Sequence, residues 1–470
     1  MPDAELMSKY FSSNGYWSAG SGKILHYFID APSWDQYYPA KETEDPFPRT
    51  LYPKDRPVHL PLGGPWQYRE TDWAALDATD EQYGGDWLVS KWISQQLAQK
   101  HDKPFFLACG IYRPHEPWFV PKKYFDPFPI DEIQLPPGYK EDDLDDLPPA
   151  GKKHGPNRYF PHIRRHGQWK QAIQGYLASI AFADAMVGRV MEALDNGPNH
   201  ENTVVVLFSD HGWHLGEKQH WQKYTLWRVC TRVPLIVRVP AGTAGLPQGT
   251  RAGTTCDAPV NLLSLYPTLT NLAGLPDKQS NDGPSLLPLL ADTGSDWPHV
   301  SITYLGKPRN YAVSDRRWRY IEYDNGDREL YDVDTDRFEW VNLAERPEHA
   351  STVSALRSRA TTEYAKFVAA SDQSLPKLKW HPAVDSTTLV SNPIGDQFDL
   401  VVTNERAGPV KVFWMDRRGN RKSFGTLEAG WRKPIRTRPG SVWLVTDADE
   451  KPIGYFRVGD RTAHAIVPAE

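Results

Sequence analysis

The chain has 470 residues, 40% of them hydrophobic, and a net charge of −5. Its length leaves room for two or three domains. No apolar run approaches the roughly 18 residues of a membrane-spanning helix, and a pI near 6.3 gives no basic footprint for nucleic acid.

In chain order, Tyr10 to His26 reads YFSSNGYWSAGSGKILH. The pattern predicts a helix, a Gly-Tyr turn, a short strand and then Gly-Lys with a histidine close behind. Alone, Gly-Lys fits a solvated turn equally well. Residues 30–82 are rich in Pro, Asp, Trp and Tyr without periodicity and read as long loops, where specificity usually sits. Residues 83–100 suggest a helix with Trp87, Ile93 and Leu97 near one face. Phe105 to Ile111 is an apolar strand followed by Arg-Pro-His-Glu-Pro. His115 there is held between two prolines, each fixing its own φ and restricting the residue before it. Residues 120–168 read as a second loop region. Tyr176, Ile180, Ala183, Val187, Val190 and Leu194 then recur at spacings of four and three, an amphipathic helix closed by Asn-Gly-Pro at 196–198.

Val204 to Phe208 is a buried strand that ends in Ser209, Asp210, His211 and Gly212. Ligand and metal sites gather where strands leave an α/β sheet. The carboxylate of Asp210 and the imidazole of His211 suit a divalent metal, Gly212 permits close backbone approach, and Lys223 can return a cation to the same place. A turn with Asp210 as a helix cap and His211 at the surface is the plainer alternative. Val233 to Val239 is another strand and Leu262 to Leu275 another helix. Tyr304 to Ala344 reads as a small antiparallel sheet, with a closing helix from about 346 to 370. Helix followed by strand, repeated, implies an α/β fold with a mostly parallel sheet.

Residues 371–392 are nonperiodic and read as a linker. After them the pattern changes to short strands, Phe398 to Thr403, Val410 to Met415, Ser441 to Asp447 and Pro452 to Val458, separated by turn signals. This is a β-sandwich. The 18 Trp and 22 Tyr suit sugar stacking or core filling about equally. Cys109, Cys230 and Cys256 show neither metal-ligand spacing nor a disulfide framework, and no signal peptide is visible after Met1.

Three segments, VVVLFSDHGWHLGEKQHWQK at 204–223, the Gly-Lys stretch and PFFLACGIYRPHEP at 104–117, together resemble the sulfatases of the alkaline phosphatase superfamily, most closely the iduronate 2-sulfatase type. The stretch ELYDVDTDRFEWVNLA at 329–344 resembles their C-terminal subdomain. The resemblance implies an alkaline-phosphatase-like sulfatase domain over 1–370 with that subdomain at about 300–370, a linker, and a separate sandwich over 393–470. It implies that Asp210 and His211 bind a divalent metal, Ca2+ in most members. Lys23, His115 and Lys223 would contact the sulfate, and His26 would be a further catalytic histidine near the leaving group. It implies hydrolysis of a sulfate ester on a sulfated carbohydrate, export to the periplasm or outside, and no nucleic-acid or membrane partner. Phosphate or phosphonate monoester hydrolysis is the alternative within the superfamily, and a noncatalytic anion-binding protein the alternative outside it.

Sulfatases use a formylglycine made from Cys in Cys-x-Pro-x-Arg. None of the three cysteines is followed by Pro-x-Arg, and no strand before residue 23 ends in Asp-Asp. The expectation is a sulfatase domain without its N-terminal segment, with half its metal ligands and no nucleophile. The sandwich resembles the β domain of the von Hippel–Lindau tumour suppressor at Val412, Phe413, Trp414, Gly419, Thr426, Leu427, Gly430, Ile435 and Trp443. Of that protein's hydroxyproline pocket only Trp443 has its counterpart. Phe424, Thr437 and Ser441 stand at the other positions, so hydroxyproline binding is not implied.

Overall fold

Short apolar runs ending in glycine form the strands that carry the site. In the computed structural model Trp17–Gly22 (β1) and Phe105–Gly110 (β4) pair in parallel over their full length, and Gln36–Tyr38 (β2) pairs with the other edge of β1. Trp73–Leu76 (β3) and Trp118–Pro121 (β5) form a second parallel pair. Val205–Phe208 (β6) pairs antiparallel with Leu235–Arg238 (β9). The helices Asp86–Leu97 and Trp169–Asp195 pack beneath them. Trp92, Ile93, Leu97 and Leu194 from these helices share one core with Ala19, Phe105, Leu107 and Val205 from three of the strands. The described residues are 5–25, 29–39, 71–278, 280–360, 375–383, 389–394, 398–459 and 462–469. They divide into two compact units, Met1–Ala360 and Thr361–Glu470.

The helix expected at 83–100 forms over Asp86–Leu97. A single turn, Asp80–Tyr83, precedes it, capped by Thr79 and Gln82 reciprocally. The reading of 30–82 as loops needs correction at its two ends, while 40–70 lie outside the described residues. β2 and β3 lie within it, three and four residues long, too short to show a period of two. They are strands because a neighbour offers them a ladder. The loop reading of 120–168 is likewise incomplete. Tyr159–Arg165 is helical and buries Tyr159, Phe160 and Ile163 against Trp73, Trp118, Trp213 and Trp221. These tryptophans fill a core.

The antiparallel subdomain runs Ser301–Leu305 (β10), Lys307–Ser314 (β11), Trp318–Glu322 (β12) and Arg328–Asp332 (β13), each hydrogen-bonded to the next. Residues 350–360 are helical, and the expected continuation to 370 lies outside the described residues.

The second unit is a sandwich of a five-stranded and a three-stranded sheet. His381–Pro382 (β14), Pro452–Arg457 (β20), Val442–Thr446 (β19), Val410–Met415 (β16) and Arg421–Leu427 (β17) make the first, in that spatial order. Arg432–Thr437 (β18), Phe398–Asn404 (β15) and Ala463–Val467 (β21) make the second. Part of the segment read as a linker therefore enters a sheet, since β14 pairs with β20. The residues at the hydroxyproline-pocket positions are spent on packing. Trp443 is buried, its indole N–H donates to Thr437 Oγ1 at 2.9 Å, and Phe424 meets its ring edge-on.

Candidate functional site

Three chain segments meet at the C-terminal ends of β1, β4 and β6. Lys23 follows β1, and its backbone N–H donates to Gly110 O at 2.9 Å. This approach requires glycine on both sides. A Cβ on Gly22 would lie 2.2 Å from Gly110 O, and one on Gly110 would lie 2.3 Å from the Lys23 carbonyl carbon. Gly212 plays the same part after β6, where a Cβ would fall 2.1 Å from Val229 O.

His115 sits in the turn after β4. The buried carboxylate of Asp86 accepts the backbone N–H groups of Tyr112 and Arg113 at 2.8 and 2.9 Å. The Arg113 guanidinium, itself buried, donates to Tyr83 Oη and to the His115 carbonyl. The turn is thus fixed from beneath, by a helix residue and by its own arginine.

Lys223 arrives on a strap, residues 213–227, whose two short strands His214–Leu215 (β7) and Trp221–Gln222 (β8) pair with each other. Trp213, His214, Lys218, His220, Trp221, Gln222, Thr225, Leu226 and Trp227 are all buried. Lys218, Gln219, Gln222 and Tyr224 have positive φ, a region that costs a side-chain-bearing residue about 1–3 kcal/mol and persists only where surroundings over-determine it. Those surroundings are polar. Lys218 Nζ donates to Asp143 at 2.8 Å in a fully buried pair. His220 lies 2.9 Å from the Lys223 carbonyl through Nε2. Trp227 Nε1 donates to the buried Glu329 of the antiparallel subdomain at 2.8 Å.

Glu116, wholly buried, joins the two loops. Its carboxylate accepts Trp221 Nε1 at 2.8 Å, Gln222 Nε2 at 2.9 Å and Thr71 Oγ1 at 3.0 Å. The residue after His115 therefore grips the two residues before Lys223.

The result is a cationic cluster. Lys223 Nζ lies 3.0 Å from His211 Nε2 and 3.3 Å from His115 Nε2. The Nδ1–H of His115 donates to Glu116 O at 2.8 Å and that of His211 to Gly212 O at 2.9 Å. With Nδ1 so engaged, each neutral ring turns its Nε2 lone pair toward the Lys223 ammonium. Lys23 faces the same group. Its ammonium is 4.6 Å from the Tyr112 ring, and that ring is 4.7 Å from the His115 ring. Burial, and then Lys223, Lys23 and His211, push His115 down to about 3. Burial and Lys223 also hold His211 below the ordinary imidazole range, and burial and Lys23 depress Lys223. Each shift is in the direction that an entering anion would reverse.

Of the expected site residues, Lys23, His115, His211 and Lys223 come together, with Asp210 at the margin. The Asp210 side chain is largely exposed, and one oxygen lies 3.6 Å from His211 Nε2. His26 lies outside the described residues. A divalent cation is implied by the sequence resemblance. Asp210 and His211 offer it one carboxylate and one imidazole, against six to eight oxygens for Ca2+, and the Lys223 ammonium stands at the imidazole lone pair. No group of three or more metal-ligating side chains gathers among the described residues. The residues present do not by themselves fit that ion.

Sequence reasoning missed Glu116, Asp86 and Arg113 as supports. Glu116 was in view beside His115, but its partners Trp221 and Gln222 are over 100 residues away, and only the fold brings them to it.

Residues 7–275 match the family model for sulfatases, and residues 216–366 match the model described as N-sulphoglucosamine sulphohydrolase, C-terminal. A sulfatase of Formosa agariphila is 37% identical over 360 residues, covering 76% of this chain and 69% of that protein. The iduronate 2-sulfatase of Homo sapiens is 32% identical over 311 residues, covering 57% of this chain and 54% of that protein. The chain thus spans about half the length of that relative. A solved structure of a protein in complex with its substrate D-glucosamine-2-N,6-O-disulfate has a TM-score of 0.57 at 20% identity, covering 77% of this chain and 83% of that one. A phosphonate monoester hydrolase from Silicibacter pomeroyi has a TM-score of 0.58 at 19% identity, covering 78% and 81%. At such identities the likeness is one of fold.

Proposed function

The chain belongs to the sulfatase family, and from that premise we propose that its cationic cluster holds the sulfate group of a sulfated sugar or polysaccharide, the binding part of a sulfuric ester hydrolase. The observation that carries this reading is the Lys223 ammonium set 3.0 and 3.3 Å from two inward-facing imidazoles with Lys23 opposing them. Cations and neutral imidazoles so crowded are stable together when an anion lies among them.

The chemistry assigns each side chain a task. Attack at sulfur moves negative charge toward the ester oxygens and the leaving alkoxide. Lys23 and Lys223 stabilise that charge where it develops, in a partly buried site with no reorganisation needed. An anion beside His115 or His211 raises its proton affinity, so either ring can take a proton at Nε2 and return it to the alkoxide. Such transfer contributes on the order of 100- to 10,000-fold.

The family resemblance implies two further components, a divalent metal and a formylglycine. Asp210 and His211 would supply two ligands to such an ion and do not complete its shell by themselves, so no step here runs through it. These 470 residues contain no Cys-x-Pro-x-Arg. We therefore propose that they bind the anion without turning it over. The same premise supports a location in the periplasm or outside the cell. The phosphonate monoester reading is supported by shared fold alone and ranks second.

Titration calorimetry with inorganic sulfate, alongside turnover of an aryl sulfate and of a phosphonate monoester, tests this. Sulfate should bind the wild type and not Lys223→Ala, with no turnover of either ester above that control. Equal sulfate binding by both proteins would overturn the site. Turnover well above the control would overturn the absence of catalysis.

A further inference from the structure

Residues 404–438 hold ten lysines and arginines against three acids. That is a surplus of seven positive charges in 35 residues, within a chain whose net charge is −5. These residues include β16, β17 and β18. β17 pairs only with β16 and β18 only with β15, so both are edge strands. They meet at one side of the sandwich, where Lys433 Nζ donates to the Phe424 carbonyl and lies 3.5 Å from where a Cβ on Gly425 would stand.

Lys411 pairs with Glu450 and Arg436 with Asp399. Arg418, Arg421, Lys422 and Lys433 have no carboxylate within ion-pair distance among the described residues, and the first three are exposed. Trp431, in the turn joining the two strands, is 43% exposed. Edge strands are often blunted with a charge to prevent strand addition. One or two lysines serve that purpose, whereas a row of unpaired cations with a tryptophan at its end adds mutual repulsion that a polyanion would relieve.

We propose that the β17–β18 edge is a binding strip for a sulfated polysaccharide, with Arg421, Lys422 and Lys433 taking sulfate groups and Trp431 a sugar face. The choice of polyanion rests on the sulfated-sugar reading of the cationic cluster. The strand from Lys422 to Gly425, beside which Lys433 lies, runs roughly 10 Å, about one disaccharide. Sulfates accept charge-assisted hydrogen bonds from both cation types, and the C–H face of a sugar ring packs on an indole. The strip serves the chemistry of the first unit through tethering, because a polymer held by one part of a chain is at high effective concentration for the other.

The test is binding of the full chain to immobilised heparin and dextran sulfate, with unsulfated dextran and duplex DNA as comparators. Arg421→Glu/Lys422→Glu should weaken binding to both sulfated polymers about tenfold or more, with a shallower salt dependence, while Lys100→Glu/Lys103→Glu, at exposed positions of the first unit, leaves it unchanged. Trp431→Ala and Lys422→Gln, milder changes within the strip, repeat the test if the first variant misfolds. Wild-type binding by these variants overturns the strip, as does DNA binding as tight as that of dextran sulfate. Loss of binding in Lys223→Ala alone overturns the strip and leaves the sulfate pocket standing. Strip-dependent binding in a protein whose Lys223 cluster takes no sulfate supports the strip and rejects the pocket.

Discussion

Glu116 offers the sharpest test of how the site is held. Its wholly buried carboxylate accepts hydrogen bonds from Trp221 Nε1, Gln222 Nε2 and Thr71 Oγ1 among its partners, at 2.8–3.0 Å. In Glu116→Gln one oxygen becomes an NH2. The least costly placement keeps the remaining oxygen toward Gln222 and Thr71 and sets the amide nitrogen against the Trp221 N–H. One buried donor is then orphaned, at about 1–3 kcal/mol, and the two surviving bonds fall from charge-assisted to neutral strength, about 1 kcal/mol less in all. The substitution should therefore cost about 2–4 kcal/mol. Glu116→Ala orphans all three donors and should cost more. Because Trp221 and Gln222 lead directly into Lys223, the loss extends to function. Sulfate affinity should fall in Glu116→Gln although no group that contacts sulfate has changed. Urea denaturation and sulfate calorimetry on the same samples provide the measurement. A Glu116→Gln protein within about 0.5 kcal/mol of wild type, an ordinary surface effect, and with unaltered sulfate affinity would refute the claim that this carboxylate ties the loops.

Three further outcomes are expected. Replacing either member of the buried Lys218–Asp143 pair, 2.8 Å apart, by Met or Asn should cost about 3–5 kcal/mol, since the remaining group is left uncompensated; denaturation midpoints unchanged from wild type would count against it. His115 is held at about 3 by burial and then by its cationic neighbours, so the unfolded chain binds its proton first. Its share of stability is complete above the ordinary imidazole value of about 6.5 and is lost as pH falls toward 3, at up to about 1.4 kcal/mol per pH unit. In His115→Gln the stability lost between pH 6 and pH 5 should be smaller by about that amount, and an identical slope in both proteins would exclude it. Lys223→Met removes a positive charge 3.3 Å from His115 Nε2, worth about 1–5 kcal/mol between water-like and protein-like screening. The His115 midpoint followed by NMR should rise by at least about 1 pH unit, and a fall would show that the ammonium is not beside the ring in solution.

Much of this protein is legible in local pattern. The four-and-three spacing from Tyr176 to Leu194 implies a helix, and Trp169–Asp195 is one, although its buried face runs through Ala178, Phe182 and Met186 and leaves Ile180 exposed. The apolar runs before Gly110 and Asp210 became β4 and β6, but the expectation of a buried strand at 204–208 needs correction, since β6 is half-buried and Phe208 is exposed. Gly22, Gly110 and Gly212 mark places where only a hydrogen fits between backbones. Lys23, His115, His211 and Lys223 stand out through the resemblance of their segments to those of sulfatases, each segment lying beside a strand end.

Other features have no local signal. β2 and β3 are too short to carry a period, and they exist because β1 and β5 offer them hydrogen bonds. β17 shows mostly exposed, polar residues, since an edge strand buries little, and its cations form a strip only because β18 lies beside it. The positive φ of Gln222 and Tyr224 is unfavourable to those residues taken alone. It holds because Glu116, Asp143 and Glu329 bind the strap from three distant segments. Sequence names the groups that can meet an anion. The distances between them are set by buried polar contacts spanning 26 to 106 residues, and those exist only once the chain has folded.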